Sequence, residues 1–157
     1  MDLEKLATSQ NLKSRLKNES LILKVPTPIV LTSKGLVAQS STVDFVGLLD
    51  GGMFIAFDAK ETSVTTRFDL KNIKGHQLEY LQVVKGLGGL AFFLIHFKKV
   101  YADELFVVPI SLIEEHWNGS KSSIPLADIE KGSFKVPKNN YLVFLKNESY
   151  IKKLLRV

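Results

Sequence analysis

Asp44, Asp58 and Lys60 have the residue types and the spacing for hydrolytic chemistry on a phosphodiester. Thr42 to Leu49 and Met53 to Lys60 both read as strands. Asp50-Gly51-Gly52 between them is a hairpin signal, because glycine reaches positive φ at no steric cost. Alternate side chains of a strand share a face. Thr42, Asp44, Val46 and Leu48 then point one way in the first strand, and Phe54, Ala56, Asp58 and Lys60 point one way in the second. Antiparallel pairing brings Asp44, near the start of the first strand, to Asp58 and Lys60, near the end of the second. Two carboxylates bind a hard cation such as Mg²⁺ through oxygen. The cation activates water and stabilises charge on a phosphate, and a lysine can polarise that water or balance the added charge of the transition state.

An acid-x-Lys triplet is a common pattern, and the chain holds a second one, Asp69-Leu70-Lys71. That triplet follows no apolar strand and has no hairpin partner carrying an acid, so it serves as an internal control, read as a helix approach or a solvated loop. Asp58-Ala59-Lys60 instead ends the apolar run Met53 to Phe57. An ion pair that finishes an edge strand would show the same pattern. Gln77 stands on the apolar face of a helix, where a polar side chain could reach a metal or a metal-bound water; a solvated residue at a helix N-terminus fits equally. His76, His96 and His116 show no ligand spacing. His76 could touch phosphate, and His96, in an apolar strand, reads as a core histidine. Trp117 reads as a packing anchor. Thr65, Thr66 and Arg67 form a polar, basic loop that suits a DNA phosphate or plain solvent.

The elements that must carry these residues follow from periodicity. Leu3 to Lys17 has the spacing of an amphipathic helix. Leu21 to Val25 is a weak strand, closed by Pro26-Thr27-Pro28; Ile29-Val30-Leu31 resumes one, Ser33-Lys34-Gly35 turns, and Gln39-Ser40-Ser41 is a loop. Glu61 to Arg67 reads as a loop and Ile73 to Leu87 as a helix ended by Gly88-Gly89. Leu90 to Phe97 is a strand buried on both faces, and Glu104 to Pro109 is another. Ser111-Leu112-Ile113-Glu114 predicts a capping box that starts a short helix toward Trp117. Ile124 to Leu126 and Gly132 to Pro137 read as irregular or short strands, and Ser149 to Leu155 as a last helix. A chain of 157 residues with 45% hydrophobic residues suits one domain. The order of elements implies an α/β or α+β domain built on a mixed sheet.

Composition excludes some chemistries. With no cysteine there is no disulfide, no thiolate metal site and no cysteine nucleophile. The N-terminal residues carry charge and lack an apolar signal core, and no apolar run is long enough to span a bilayer, so the expectation is a cytoplasmic protein. A net charge of +5 suits an anionic partner such as nucleic acid. The positive residues are spread along the chain, so charge alone is weak evidence.

Several segments together resemble the RecU-type Holliday junction resolvases of the PD-(D/E)xK nuclease superfamily. They are Pro26-Thr27-Pro28-Ile29, Ser41-Thr42-Val43-Asp44-Phe45-Val46-Gly47, Phe57-Asp58-Ala59-Lys60-Glu61-Thr62 and His76-Gln77-Leu78-Glu79. The likeness continues through Gly88-Gly89, the strand Leu90 to Phe97, and Trp117 with Ser123-Ile124-Pro125. It implies a restriction-endonuclease-like core in which a central mixed sheet is flanked by helices. It implies Thr42, Asp44, Asp58 and Gln77 as metal ligands, Lys60 as the transition-state lysine, and Glu4 as an additional acid from the first helix. It implies Mg²⁺, with Mn²⁺ as a substitute, and a homodimer, because a four-way junction needs two symmetric nicks.

Three departures stand out. The stretch from Pro28 to Ser41 is short where the resolvases carry a long stalk; the twelve residues Ile29 to Ser40, folded back, would reach only about 20 Å. The N-terminal arm is abbreviated. The hairpin at Asp50-Gly51-Gly52 is one residue longer, to be absorbed in the turn. The expectation is therefore a single nuclease domain over residues 1–157 with a short stalk-like segment at about 29–40. It would be a metal-dependent endonuclease that resolves branched DNA in recombination and repair. A related nuclease of the superfamily that cuts other branched or duplex DNA, and a non-catalytic DNA-binding module of the same fold, are the rival readings.

Overall fold

A computed structural model describes residues 2–38, 42–100 and 104–156. The expected loop at Gln39-Ser40-Ser41 lies outside the described residues. The chain begins with α1 (Leu3–Leu16), capped by Asp2, whose side chain accepts from the Lys5 amide. Strand β1 (Ser20–Lys24) follows, then the hairpin β2 (Ile29–Thr32) and β3 (Gly35–Ala38), then β4 (Phe45–Leu49) and β5 (Phe54–Thr62). Next come β6 (Arg67–Asp69), a 3₁₀ turn at Leu70–Asn72, α2 (Gly75–Gly86), β7 (Leu90–Phe97) and β8 (Glu104–Pro109). The last elements are α3 (Ile110–Trp117), β9 (Ser123–Pro125), α4 (Leu126–Gly132), β10 (Phe134–Val136), a 3₁₀ segment at Tyr141–Lys146 and α5 (Glu148–Leu155).

Six strands form the central mixed sheet in the order β1-β4-β5-β7-β8-β10. Only β5 and β7 run parallel, and they pair from Ile55↔Leu90 to Thr62↔Phe97. A parallel pair needs a crossover, supplied here by the segment that contains α2. Every residue of β7 is buried. Each face of the sheet carries its own core. Ala56, Phe93, Ile95 and Val108 pack under Leu78 and Leu81 of α2 and Ile113 of α3. Phe45, Phe57, Phe92 and Val107 pack under Leu3 and Ala7 of α1 and Tyr150 and Leu154 of α5. Phe57 is stacked between Phe45 and Phe92, with ring centroids 4.9 and 4.8 Å away. Gln10 of α1 ties that face to the C-terminal segment by accepting from the Tyr141 amide at 2.7 Å.

The turn at Asp50-Gly51-Gly52 forms as expected. Gly51 and Gly52 adopt φ of 89° and 87°, and Leu49 N donates to Met53 O across the closed end at 2.8 Å. Four expectations need correction. The first strand begins at Phe45, and Thr42 lies on an exposed bend before it. The strand β5 runs on to Thr62 and Arg67 opens β6, so the loop between them is short. No capping box forms at Ser111. The helix α3 starts two residues earlier, with Pro109 at its N-cap and no side-chain cap bond, because Pro109 ends β8 with its fixed φ and Ser111 already lies in the helical turn. Leu126 opens and Gly132 ends a helix, α4, between the two short strands expected there, Ser123–Pro125 and Phe134–Val136. The stalk-like segment is a two-stranded hairpin apart from the main sheet, with four-residue strands about 13 Å long.

Candidate active site

The open end of the β4–β5 hairpin is held by side chains where backbone pairing stops. The ladder closes at Phe45↔Phe57. One step further, the Asp44 amide donates to Asp58 Oδ1 at 3.0 Å, and the Ala59 amide donates to Asp44 Oδ2 at 2.9 Å. Each carboxylate therefore uses one oxygen to grip the opposite strand and keeps one oxygen free of the backbone. The free oxygens both face ammonium groups. Lys60 Nζ lies 2.8 Å from Asp58 Oδ2, and Lys24 Nζ lies 3.6 Å from Asp44 Oδ1. Asp58 is only 1% exposed, and its Oδ2, off the hydrogen-bonding direction of Lys60, accepts no hydrogen bond among the described residues.

Two helices complete the site from opposite faces. From α2, Gln77 Oε1 accepts from Lys60 Nζ at 2.9 Å and from the Lys74 amide at 3.0 Å. Gln77 thus caps the start of α2 and holds Lys60 with the same oxygen. From α1, Glu4 Oε1 lies 2.8 Å from Lys24 Nζ. Burial pushes the Asp44 carboxyl above the ordinary carboxylate range; the Asp58 charge adds to that, and the Ala59 amide opposes it. Burial works against the charge of Lys24, but the bond to Glu4 and the charges of Asp44 and Glu4 outweigh it, so its pKa lies above the usual value.

Asp44, Asp58, Lys60, Gln77 and Glu4 are brought together as the sequence suggests. Thr42 is not: it is exposed and makes no hydrogen bond to the two carboxylates among the described residues. Thr65, Thr66, Arg67 and His76 are exposed; Arg67 Nε pairs with Asp69 Oδ1 at 2.9 Å. His96 is buried in β7, with Nδ1 3.9 Å from Glu61 Oε1. Sequence reasoning missed Lys24. Its signal was the end of β1, which pairs with Phe45 at the mouth of the hairpin. It also missed Glu61, which accepts from the Leu3 amide at 3.0 Å.

Among the described residues no three histidines, cysteines or acids gather around one point. The donor set still suits a hard cation. The buried Asp58 and the half-buried Asp44 lie on neighbouring strands, and one oxygen of each is turned away from the backbone toward positive charge. Oxygen donors of that kind match Mg²⁺ or Mn²⁺.

The family model described as "Recombination protein U" matches residues 1–152. The chain belongs to the RecU family. It is 31% identical over 151 residues to "Holliday junction resolvase RecU" of Ligilactobacillus salivarius, covering 87% of this chain and 70% of that one. It is 32% identical over 153 residues to the RecU of Staphylococcus epidermidis, covering 87% and 72%. A solved structure, the Holliday junction resolvase Hjc of Archaeoglobus fulgidus, superposes with a TM-score of 0.52 over 83% of this chain and 93% of that one, at 14% identity. That likeness is one of fold: the mixed sheet and its flanking helices are arranged as in that protein. No helix among the described residues is long and apolar enough to cross a membrane.

Proposed function

We propose that this RecU-family chain is a Mg²⁺-dependent endonuclease that resolves Holliday junctions by paired symmetric nicks, as a cytoplasmic homodimer serving DNA recombination and repair. The observation that carries the reading is the crossed pair Asp44–Asp58, which leaves one oxygen of each carboxylate free of the backbone at a strand end. Asp44 Oδ1 and Asp58 Oδ2 would hold the cation; Thr42 and Gln77, which the family resemblance also implies, stand outside that pair, Thr42 on an exposed bend and Gln77 with its oxygen on Lys60 and the Lys74 amide. When bound, the cation supplies activation of the attacking water and neutralisation of phosphate charge. Lys60, aimed by Asp58 and Gln77, holds its ammonium where the water and the reacting phosphate meet, and stabilises charge that grows in the transition state. Lys24, held by Glu4, offsets negative charge on the Asp44 side. Exposed Thr65, Thr66, Arg67 and His76 are the candidates for phosphate contacts beyond the scissile group.

The hairpin Ile29–Ala38 favours one variant of this reading, a nuclease of the same fold that cuts simpler DNA, since strands about 13 Å long can touch a junction but hardly fill its centre. Incubation with a labelled four-way junction and with linear duplex of equal length tests both. The resolvase predicts symmetric nicks in the junction only, abolished by EDTA, from a particle of twice the 17.6 kDa chain mass. Cleavage undiminished in EDTA would sink the metal role. Equal cutting of duplex by a monomer would move the assignment to the simpler nuclease.

A further inference from the structure

The strand β5 presents the catalytic pair Asp58 and Lys60 to α2, and alternation sends Ala59 and Glu61 to the α1 face. There the Glu61 carboxylate accepts from the Leu3 amide at 3.0 Å. That amide opens α1 and is one of the donors a helix leaves unsatisfied at its N-terminus. From the neighbouring parallel strand, His96, the register partner of Glu61, sets Nδ1 3.9 Å from the same oxygen. One residue after Leu3 stands Glu4, whose carboxylate holds Lys24 at 2.8 Å, 3.6 Å short of Asp44 Oδ1.

The apolar contacts of Leu3 and Ala7 keep α1 on the sheet, but such contacts have no direction and tolerate sliding. A slip of α1 by one residue moves Glu4 by about 1.5 Å along the axis, enough to break its bond to Lys24. A directed, charge-assisted hydrogen bond at the helix start removes that freedom. We propose that Glu61 is a positioning residue for the nuclease site: its carboxylate fixes the first turn of α1, and so fixes Glu4 beside Lys24 and Asp44. The proposal rests on the nuclease reading above for its readout in cleavage, and on geometry alone for its readout in structure.

The test compares wild type with Glu61→Ala, Glu61→Gln, Glu4→Gln and the double variant Glu4→Gln/Glu61→Ala. Junction cleavage in Mg²⁺ and the affinity for Mn²⁺ alone are both measured. The Glu61→Ala protein should lose about tenfold in each, as expected when one charged hydrogen bond is removed. The Glu61→Gln protein, whose amide oxygen still accepts from Leu3, should recover to within about twofold of wild type. In the double variant the loss should not exceed that of Glu4→Gln alone, because coupled residues are not additive. Glutamine failing as badly as alanine, or a double variant whose losses multiply, would overturn the role. If Glu61→Ala does not fold, amide hydrogen exchange decides: the Leu3 amide should be protected in wild type and in Glu61→Gln, and fast exchange there overturns the proposal. If wild type cuts no DNA at all, the nuclease reading falls, while Mn²⁺ affinity and amide exchange still judge Glu61.

Discussion

Asp58-Ala59-Lys60 and Asp69-Leu70-Lys71 carry the same charges at the same spacing, yet the fold gives them different surroundings. Asp58 is almost fully buried, faces a second carboxylate across a hairpin, and shares its lysine with Gln77. Asp69 ends a three-residue strand, pairs with the exposed Arg67, and is followed by a single 3₁₀ turn that points Lys71 to solvent. A carboxylate becomes a cation ligand when the chain around it removes water, supplies a second acid and keeps an oxygen from being used up by backbone amides. Sequence spacing alone grants none of these.

The largest expected contrast is in cleavage. Asp58→Asn or Asp44→Asn should lower the junction-cutting rate by about a thousandfold while leaving DNA binding intact, and Asp69→Asn should stay within about twofold of wild type. A gel-based cleavage assay with parallel binding measurements checks this; an equal loss at Asp69 would erase the distinction between the triplets. Next, Lys60→Ala should slow cleavage by about a hundredfold with little change in junction affinity, whereas Lys71→Ala should do neither. A matching loss of affinity would make Lys60 a phosphate contact instead.

The smallest effect is on stability without metal. Asp44 holds its proton more tightly folded than unfolded, chiefly because it is buried and secondly because Asp58 is close. Folding stability therefore falls as pH rises from the ordinary aspartate range through the raised value, and the penalty is fully present above that value. Asp44→Asn removes that penalty and keeps an acceptor for the Ala59 amide, so it should melt at a higher temperature than wild type at pH 7 in EDTA. The gain should vanish as the pH is lowered through the carboxylate range, and Asp69→Asn should show no such gain.

The parts of this molecule that local rules govern could be read from the chain. Leu90 to Phe97 is apolar throughout and is buried throughout, and Asp50-Gly51-Gly52 supplies the positive φ its turn needs. From that hairpin alone Asp44, Asp58 and Lys60 converge. Gln77 stood out as a polar residue on an apolar helix face but needed the family resemblance to be tied to the site, and Glu4 came from the resemblance alone, since no periodicity joins a helix to a distant strand end. Lys24 stayed hidden because only the β1–β4 pairing, Lys24↔Phe45, carries it to the site. The helix α4 was missed because seven residues give barely two turns of pattern, although Pro125 before it and Gly132 at its end are fitting boundary residues. The Ser111 capping box failed because a matching tetrapeptide does not fix where the helix begins.

The crossed bonds between Asp44 and the β5 backbone, and between Asp58 and the β4 backbone, have a bearing on how the enzyme matures. In a hairpin a shift of one residue sends every side chain to the wrong face. With β4 displaced by one position against β5, neither carboxylate could meet the amide opposite, Lys60 would lose its partner, and no pair of oxygens would stand ready for a cation. The two proposed ligands are thus also the markers of correct strand alignment. A chain whose hairpin is out of register therefore lacks the proposed cation site, so the power to cut would come only with correct pairing of β4 and β5.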